Sequence, residues 1–222
     1  MLEVIALDAA DALAAQLGGA DRLEVVADMA ADGLTPDPVV VARIRGETSV
    51  PLRVMLRANT GFRTSGPELD RLRRAAGTLA QAGADAFVFG FLDSGGEVDI
   101  ASTAKLAADI APLPWTFHRA VDHAADPEAA WRAVLELPGL DTVLTGGAPG
   151  GVEAGLDVLI RRTGGPVLAG GGLRRKHVAP LAAAGITGFH VGGAVRPGGS
   201  WECPVDAGLV REWQALVSAA TA

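Results

Sequence analysis

The segment from Thr116 to Asp122 brings together three different side chains that could take part in catalysis. An apolar run leads directly into His118 and Arg119, and Asp122 follows three residues later. A buried strand has no structural need for these side chains, because buried charges are costly unless they are paired. A strand end that lines a pocket does use an imidazole, a guanidinium and a carboxylate, for acid–base catalysis and for electrostatic stabilisation. The segment therefore predicts a functional site.

Other polar side chains interrupt apolar runs elsewhere. Glu3 and Glu24 occupy matching Leu-Glu-Val triplets, Arg57 follows a third apolar run, and His190 lies within a late one. We expect both carboxylates to face the same interior as His118, with one of them as its acid–base partner. The alternative is that the two carboxylates form structural ion pairs with Arg53 or Arg57.

Two further side chains have competing interpretations. Asp122 belongs either to the site or to a cap of the following helix or an Asx turn. His123 and His177 lie in loop or helix contexts, and we expect them at the surface.

Two predicted strands end in glycine-rich segments, which are a second indication of a binding site. A helix follows the first of these segments. Glycine lets the backbone approach a ligand closely, and N–H groups at a helix start attract anions. We therefore predict a phosphate-binding loop, with Arg174 or Arg196 adding charge. Its glycines are Gly170, Gly171, Gly172, Gly192 and Gly193.

These residues need a scaffold, and the hydrophobic pattern predicts one. Short apolar runs alternate eight times with Ala-rich segments of helical spacing. The predicted strands are Leu2 to Leu7, Arg22 to Val26, Leu52 to Leu56, Ala86 to Phe91, Trp115 to Arg119, Thr142 to Thr145, Val167 to Ala169 and Gly188 to Val191. The pattern favours a (β/α)8 TIM barrel that forms a single domain over residues 1–222, in which strand ends and the following loops carry the site. A doubly wound open sheet is the alternative.

Composition narrows the function classes. The net charge of −7 argues against nucleic acid or an anionic membrane as the main partner. The only cysteine, Cys203, excludes an intramolecular disulfide and a zinc site built from several thiolates. We find no signal peptide and no apolar run long enough to span a bilayer, so a cytoplasmic location is expected. The expected partner is a small molecule or a metal ion, and a homo-oligomer is left open.

With those residues in view, the chain resembles the CutC family of copper homeostasis proteins. The resemblance covers most of the chain and includes Arg57 and His190. Thr116-Phe117-His118-Arg119-Ala120 together with Gly33-Leu34-Thr35-Pro36 is highly specific. The match also rests on Leu2-Glu3-Val4, Gly19-Ala20-Asp21-Arg22-Leu23-Glu24, Leu92-Asp93 with Gly96-Glu97-Val98-Asp99, Asp122, Val143-Leu144-Thr145-Gly147 and the glycines after the seventh strand. The resemblance implies a (β/α)8 barrel, cytoplasmic copper handling and copper binding through cysteines, with no settled reaction.

The sequence departs from this family where copper binding is concerned. Positions near the first two strands that carry cysteine in relatives are Ile5, Ala6, Val25 and Val26. Copper(I) prefers soft sulfur ligands, so a site would have to use Cys203, Met29 or Met55, or histidines. Two functions therefore stay open: a copper homeostasis protein, or an enzyme acting on a small phosphorylated or otherwise anionic metabolite. The second would use His118 as acid–base, with Arg57 and Arg119 as electrostatic clamps.

Overall fold

Eight parallel strands alternate with eight helices in the computed structural model, which describes residues 1–162 and 164–222. The strands are β1 (Leu2–Ala6), β2 (Arg22–Val25), β3 (Leu52–Met55), β4 (Ala86–Phe89), β5 (Trp115–Phe117), β6 (Leu140–Thr145), β7 (Val167–Ala169) and β8 (Gly188–Val191). The helices are α1 (Ala9–Gly18), α2 (Pro38–Glu47), α3 (Gly66–Gln81), α4 (Ile100–Ile110), α5 (Pro127–Leu135), α6 (Val152–Arg161), α7 (Arg175–Ala183) and α8 (Ala207–Thr221).

The strands close into a barrel in sequence order. β1 pairs with β2 on one side and with β8 on the other, which brings Glu3 into register with Arg22 and with His190. Every pair is parallel, so all carboxyl ends of the strands lie at one face of the barrel. The predicted (β/α)8 TIM barrel is therefore confirmed.

Side chains at the helix starts fix how each loop leaves the barrel. Asp8, Asp99, Asp126 and Asp206 each accept a backbone hydrogen bond from the first turn of the helix that follows. Such caps stabilise a helix by about 1 kcal/mol each, because they satisfy N–H groups that have no partner within the helix. The loops before Asp126 and Asp206 carry His118, Arg119 and Gly193.

The predicted bounds of the fifth strand were too long. β5 ends at Phe117, because the chain turns at His118 into a short 3-10 segment, Arg119–His123. The Nδ1 atom of His118 accepts the N–H of Ala120 at 3.3 Å and so begins this turn. Asp126 caps α5, so the interpretation of Asp122 as the cap of that helix was wrong.

The amino-terminal half of the barrel interior is closed by an ion pair. Arg53 donates to both carboxylate oxygens of Asp141, at 2.7 and 2.5 Å, and to the hydroxyl of Thr116 at 2.8 Å. Arg53 is therefore not the ion-pair partner of Glu3 or Glu24. Within the described ranges, we find no helix long and apolar enough to cross a membrane.

Candidate active site

A cavity of about 400 Å³ opens among the carboxyl ends of the strands. It brings together most of the predicted site residues, from five different strand ends. Those that line it are Glu24, Arg57, His118, Arg119, His190, Gly171, Gly172, Gly192 and Gly193. Of the remaining predicted residues, Glu3 lies against His190, Asp122 lies beside Thr145, and Gly170 lies beside Leu144 and His190.

A chain of four ionisable side chains, three of them buried, reaches the cavity floor, and we call it the acid–base chain: Arg22, Glu3, His190 and Glu24. The Nε of Arg22 donates to Glu3 at 2.5 Å, and the opposite oxygen of Glu3 lies 2.8 Å from Nδ1 of His190. The Nε2 atom of His190 lies 3.8 Å from a Glu24 oxygen. The carboxylates therefore partner His190, and not His118 as expected.

The two glutamates of this chain have opposite protonation behaviour. Burial acts to raise the pKa of Glu3, but the hydrogen bond from His190 and the charge of Arg22 outweigh it and lower the pKa to about 2. Burial raises the pKa of Glu24 to about 7, against the opposing charge of His190, and the negative charge of Glu3 adds to the rise. Burial acts to lower the pKa of His190, but both glutamates together raise it. Glu3 is thus a permanent anion, and Glu24 exchanges protons near neutrality.

Glu24 also keeps one oxygen unused. Among the described residues, its Oε1 atom is buried and has no hydrogen-bond partner. A buried acceptor without a partner is costly, so its presence calls for an explanation. Oε1 is closed off from the cavity surface, but Glu24 lines the cavity, and its other oxygen makes no hydrogen bond to a described residue, because it lies 3.8 Å from Nε2 of His190.

His118 is held in one tautomer. Its Nδ1 accepts the N–H of Ala120, so in the neutral ring the proton lies on Nε2. The edge of Phe62 packs against the imidazole with ring centroids 5.5 Å apart. Burial lowers the pKa of His118 to about 3, and the charge of Arg57 adds to this effect. His118 is therefore neutral at physiological pH, and its Nε2–H is available as a hydrogen-bond donor.

Arg57 lines the cavity but uses most of its donors on the backbone. Its guanidinium donates to the carbonyls of Ala31 and Asp32 at 3.0 and 2.9 Å, and to that of Thr60 at 2.5 Å. Phe62 packs under it at 5.1 Å. Arg57 thus ties together the loops that follow β2 and β3, while its charge acts on His118.

Asp122 holds the turn that presents Arg119. Its carboxylate accepts from the Thr145 hydroxyl at 2.5 Å, from the Gly146 N–H at 2.8 Å and from Nε of Arg119 at 3.0 Å. Asp122 is fully occupied by these contacts and positions Arg119. The Arg119 guanidinium lies against Gly171, where an added Cβ would meet it at 2.6 Å. Arg119 is therefore the arginine placed beside the glycine-rich loops.

The glycine-rich loops offer backbone donors to the cavity. Among the described residues, no acceptor takes the N–H groups of Gly171, Gly172 or Leu173, nor those of Gly193 and Ala194. All five residues line the cavity. Gly171 and Gly172 have φ of +91° and +70°, a left-handed conformation that glycine adopts without strain. This arrangement provides the donors that an anion requires.

The two arginines expected to assist these loops are engaged elsewhere. Arg196 is buried and pairs with Asp11 at 2.5 Å, and Arg174 lies 3.7 Å from Glu153. The expectation that His177 lies at the surface was also wrong. His177 is buried, because its Nδ1 accepts the Arg174 N–H at the start of α7 and its Nε2 contacts Glu153. His123 is exposed and forms part of the cavity rim.

Comparison with known proteins gives the family. The CutC family model matches residues 1–195. The family protein CutC of Chromobacterium violaceum is 36% identical over 197 residues, which cover 86% of this chain and 79% of that protein. The chain belongs to the CutC family. The human copper homeostasis protein cutC homolog is 34% identical, over 86% of this chain and 72% of that protein. A CutC structure from Streptococcus agalactiae superposes with a TM-score of 0.78 at 21% identity, covering 86% of this chain and 97% of the other.

The family name raises the question of copper, and the donor set of this CutC member does not fit a tight copper(I) site. Cys203 is half-buried in the loop before α8, outside the cavity lining. Met29 and Met55 do line the cavity, but they pack within an apolar cluster. Over residues 1–162 and 164–222, no three His, Cys, Asp or Glu side chains are grouped as metal ligands. Soft ligands are what copper(I) requires.

We therefore expect this CutC protein to bind copper(I) weakly, and a Cys203→Ala variant to bind it equally weakly. One thiolate cannot complete a soft site without partners. Competition against a copper(I) chelator measures both affinities. Tight stoichiometric binding that the variant loses would contradict this expectation and assign copper as the ligand.

Some residues of the CutC site escaped sequence reasoning. Arg22 precedes Glu24 by two residues and therefore shares its face of β2, a period-two signal that could have found it. Phe62 and Trp201 line the cavity from loops, and no spacing in the sequence indicates either of them.

Proposed function

We propose that this CutC-family protein is an enzyme that acts on a small phosphorylated or otherwise anionic metabolite. Glu24 serves as the acid–base group, and His190 and Glu3 set its protonation. The glycine-rich loops after β7 and β8 bind the anionic group of the substrate. The expected partner is thus a small molecule rather than a macromolecule.

The observation that carries this proposal is the state of Glu24. A cavity-lining carboxylate whose pKa is raised to about 7, and which accepts no hydrogen bond from a described residue, is suited to proton transfer at neutral pH. Such a group costs folding stability, and an ion pair alone does not require it. Glu3, in the same sequence triplet, shows the ordinary structural alternative, because both of its oxygens are paired.

The anion end of the cavity supports the substrate class. Five N–H groups without a described acceptor belong to residues that line the cavity, as does the Arg119 guanidinium, whose Nη2 also donates to the carbonyls of Ala148 and Pro149. Hydrogen bonds from such groups to a charged ligand contribute about 1.5–3 kcal/mol each. The cavity volume of about 400 Å³ suits a small metabolite.

We expect inorganic phosphate and glycerol 3-phosphate to bind at one site per chain, and Gly171→Val to weaken this binding at least about tenfold. An added Cβ at Gly171 would meet the Arg119 guanidinium and displace it. Isothermal titration calorimetry measures the affinity. His118→Ala should leave the binding intact and abolish turnover in a screen of phosphorylated metabolites followed by mass spectrometry.

Gly198→Val is the matched control, because Gly198 also has positive φ but lies off the cavity with open space around it. It bears the same kind of backbone strain, so its phosphate affinity should equal that of the wild type. If neither phosphate nor glycerol 3-phosphate gives a heat of binding, the proposed anion site is contradicted. The glycines would then serve only to form turns.

Copper homeostasis is the second candidate function, and the name of the human relative favours it. In this chain such a role would use Met29, Met55 and Cys203, or the cavity histidines. The copper(I) competition described above separates the two functions.

A further inference from the structure

The hydrogen-bond donor of His118 is directed by the fold and is not used within the protein. The Ala120 N–H occupies Nδ1, so the proton of the neutral ring lies on Nε2. No described residue accepts a hydrogen bond from Nε2, and the ring lines the cavity. The pKa of about 3 keeps the ring neutral over the whole physiological range. A neutral imidazole donor polarises a carbonyl oxygen without carrying a charge of its own.

Glu24 and His118 lie on opposite walls of the cavity. Glu24 is on β2 and His118 follows β5, three strand positions away in a closed ring of eight. The glycine-rich loops follow β7 and β8, on a third side of the same cavity. A small molecule held there by an anionic group therefore lies between a base and a hydrogen-bond donor.

We propose that the substrate is a short phosphorylated ketone or aldehyde, and that Glu24 and His118 catalyse proton transfer at the carbon next to its carbonyl. This inference rests on the proposed function, because it takes the anion site and the role of Glu24 from it. It adds the carbonyl group, the reaction class and the role of His118.

The step needs no co-reactant. The Glu24 carboxylate removes the proton, the electron pair of that C–H bond forms a carbon–carbon double bond, and the carbonyl π pair moves to oxygen. The Nε2–H of His118 donates a hydrogen bond to this oxygen as negative charge develops. Return of the proton from Glu24 to the same carbon gives the starting compound. Its return to the former carbonyl carbon gives an isomer when the proton of the neighbouring hydroxyl also passes, by way of Nε2 of His118, to the former carbonyl oxygen.

Solvent exchange tests the inference without knowledge of the natural product. The wild-type protein is incubated in D₂O with dihydroxyacetone phosphate, ribulose 5-phosphate and fructose 6-phosphate, and proton NMR follows the hydrogen next to the carbonyl. We expect catalysed exchange with at least one of them. Exchange should fall about 10²–10⁴-fold in Glu24→Gln and about 10²-fold or more in His118→Phe. Dihydroxyacetone, which lacks phosphate, should exchange more slowly than its phosphate ester.

Each negative outcome has a distinct meaning. If no ketose phosphate exchanges while glycerol 3-phosphate still binds, the carbonyl inference is overturned and the proposed function stands. If neither exchange nor phosphate binding occurs, both are overturned. Exchange that persists unchanged in folded Glu24→Gln and His118→Phe variants would refute the roles assigned to these residues.

Discussion

Glu24→Gln is expected to lose about 10²–10⁴-fold of turnover on any substrate that the metabolite screen identifies, because the amide cannot take up a proton. Phosphate binding should be unchanged, since the anion contacts come from the loops after β7 and β8. Steady-state kinetics and calorimetry measure the two quantities on the same preparations. The same substitution at Glu97, which is exposed and lies off the cavity, is the control and should leave turnover intact.

The pH dependence has a defined sign. Glu24 acts as a base only when it is ionised, and its pKa is raised to about 7. Therefore kcat/KM should rise as pH increases through about 7 and then level off. The groups that influence this titration are His190, Glu3, Arg22 and Arg53. His118 contributes no transition near neutrality, because its pKa is lowered to about 3.

The two glutamates should affect stability in opposite directions. Glu3→Gln is expected to lower the free energy of unfolding at pH 7 by about 3 kcal/mol, because it leaves Arg22 and His190 without their buried counter-ion. Because folding lowers the pKa of Glu3, this group contributes to the free energy of unfolding of the wild type above about pH 4.5. That contribution is lost as pH falls towards 2.

Glu24→Gln should raise the free energy of unfolding at pH 8, by up to about 3 kcal/mol. Because folding raises the pKa of Glu24, the neutral form of this group contributes fully to the free energy of unfolding below about pH 4.5. This contribution is lost as pH rises through about 7. Urea unfolding at pH 5 and pH 8 measures the difference. If Glu24→Gln is less stable than the wild type at pH 8, Glu24 is a structural ion-pair partner, as the alternative interpretation holds.

The sequence predicts the scaffold well, because strand–helix alternation is a local signal. Glu24, Arg57, His118 and His190 could be assigned to one end of a barrel from their positions on successive apolar runs. The pairing among them could not be predicted, since the stagger of strands in a closed barrel sets it. Glu3 and Glu24 have the same neighbours in sequence, yet the register of β1 places Glu3 between Arg22 and His190.

The contacts of Arg196 and Arg57 could not be predicted from the sequence either. Arg196 follows the last glycine-rich loop and has the spacing of an anion ligand, but Asp11, almost the whole chain away, takes its guanidinium. Arg57 is held by loop carbonyls whose positions depend on how two loops pack. Long-range contacts of this kind leave no periodic trace in the sequence.

The most direct test of the account is the ionisation of Glu24 itself. Carbon-13 labelling of the glutamate side chains, with Glu24→Gln for assignment, lets NMR follow its carboxyl carbon from pH 4 to pH 9. We predict a midpoint of about 7, while Glu3 remains ionised throughout. A midpoint near the ordinary 4.5 would contradict the account, because Glu24 would then be ionised over the whole physiological range like Glu3 and would not take up and release a proton near neutrality.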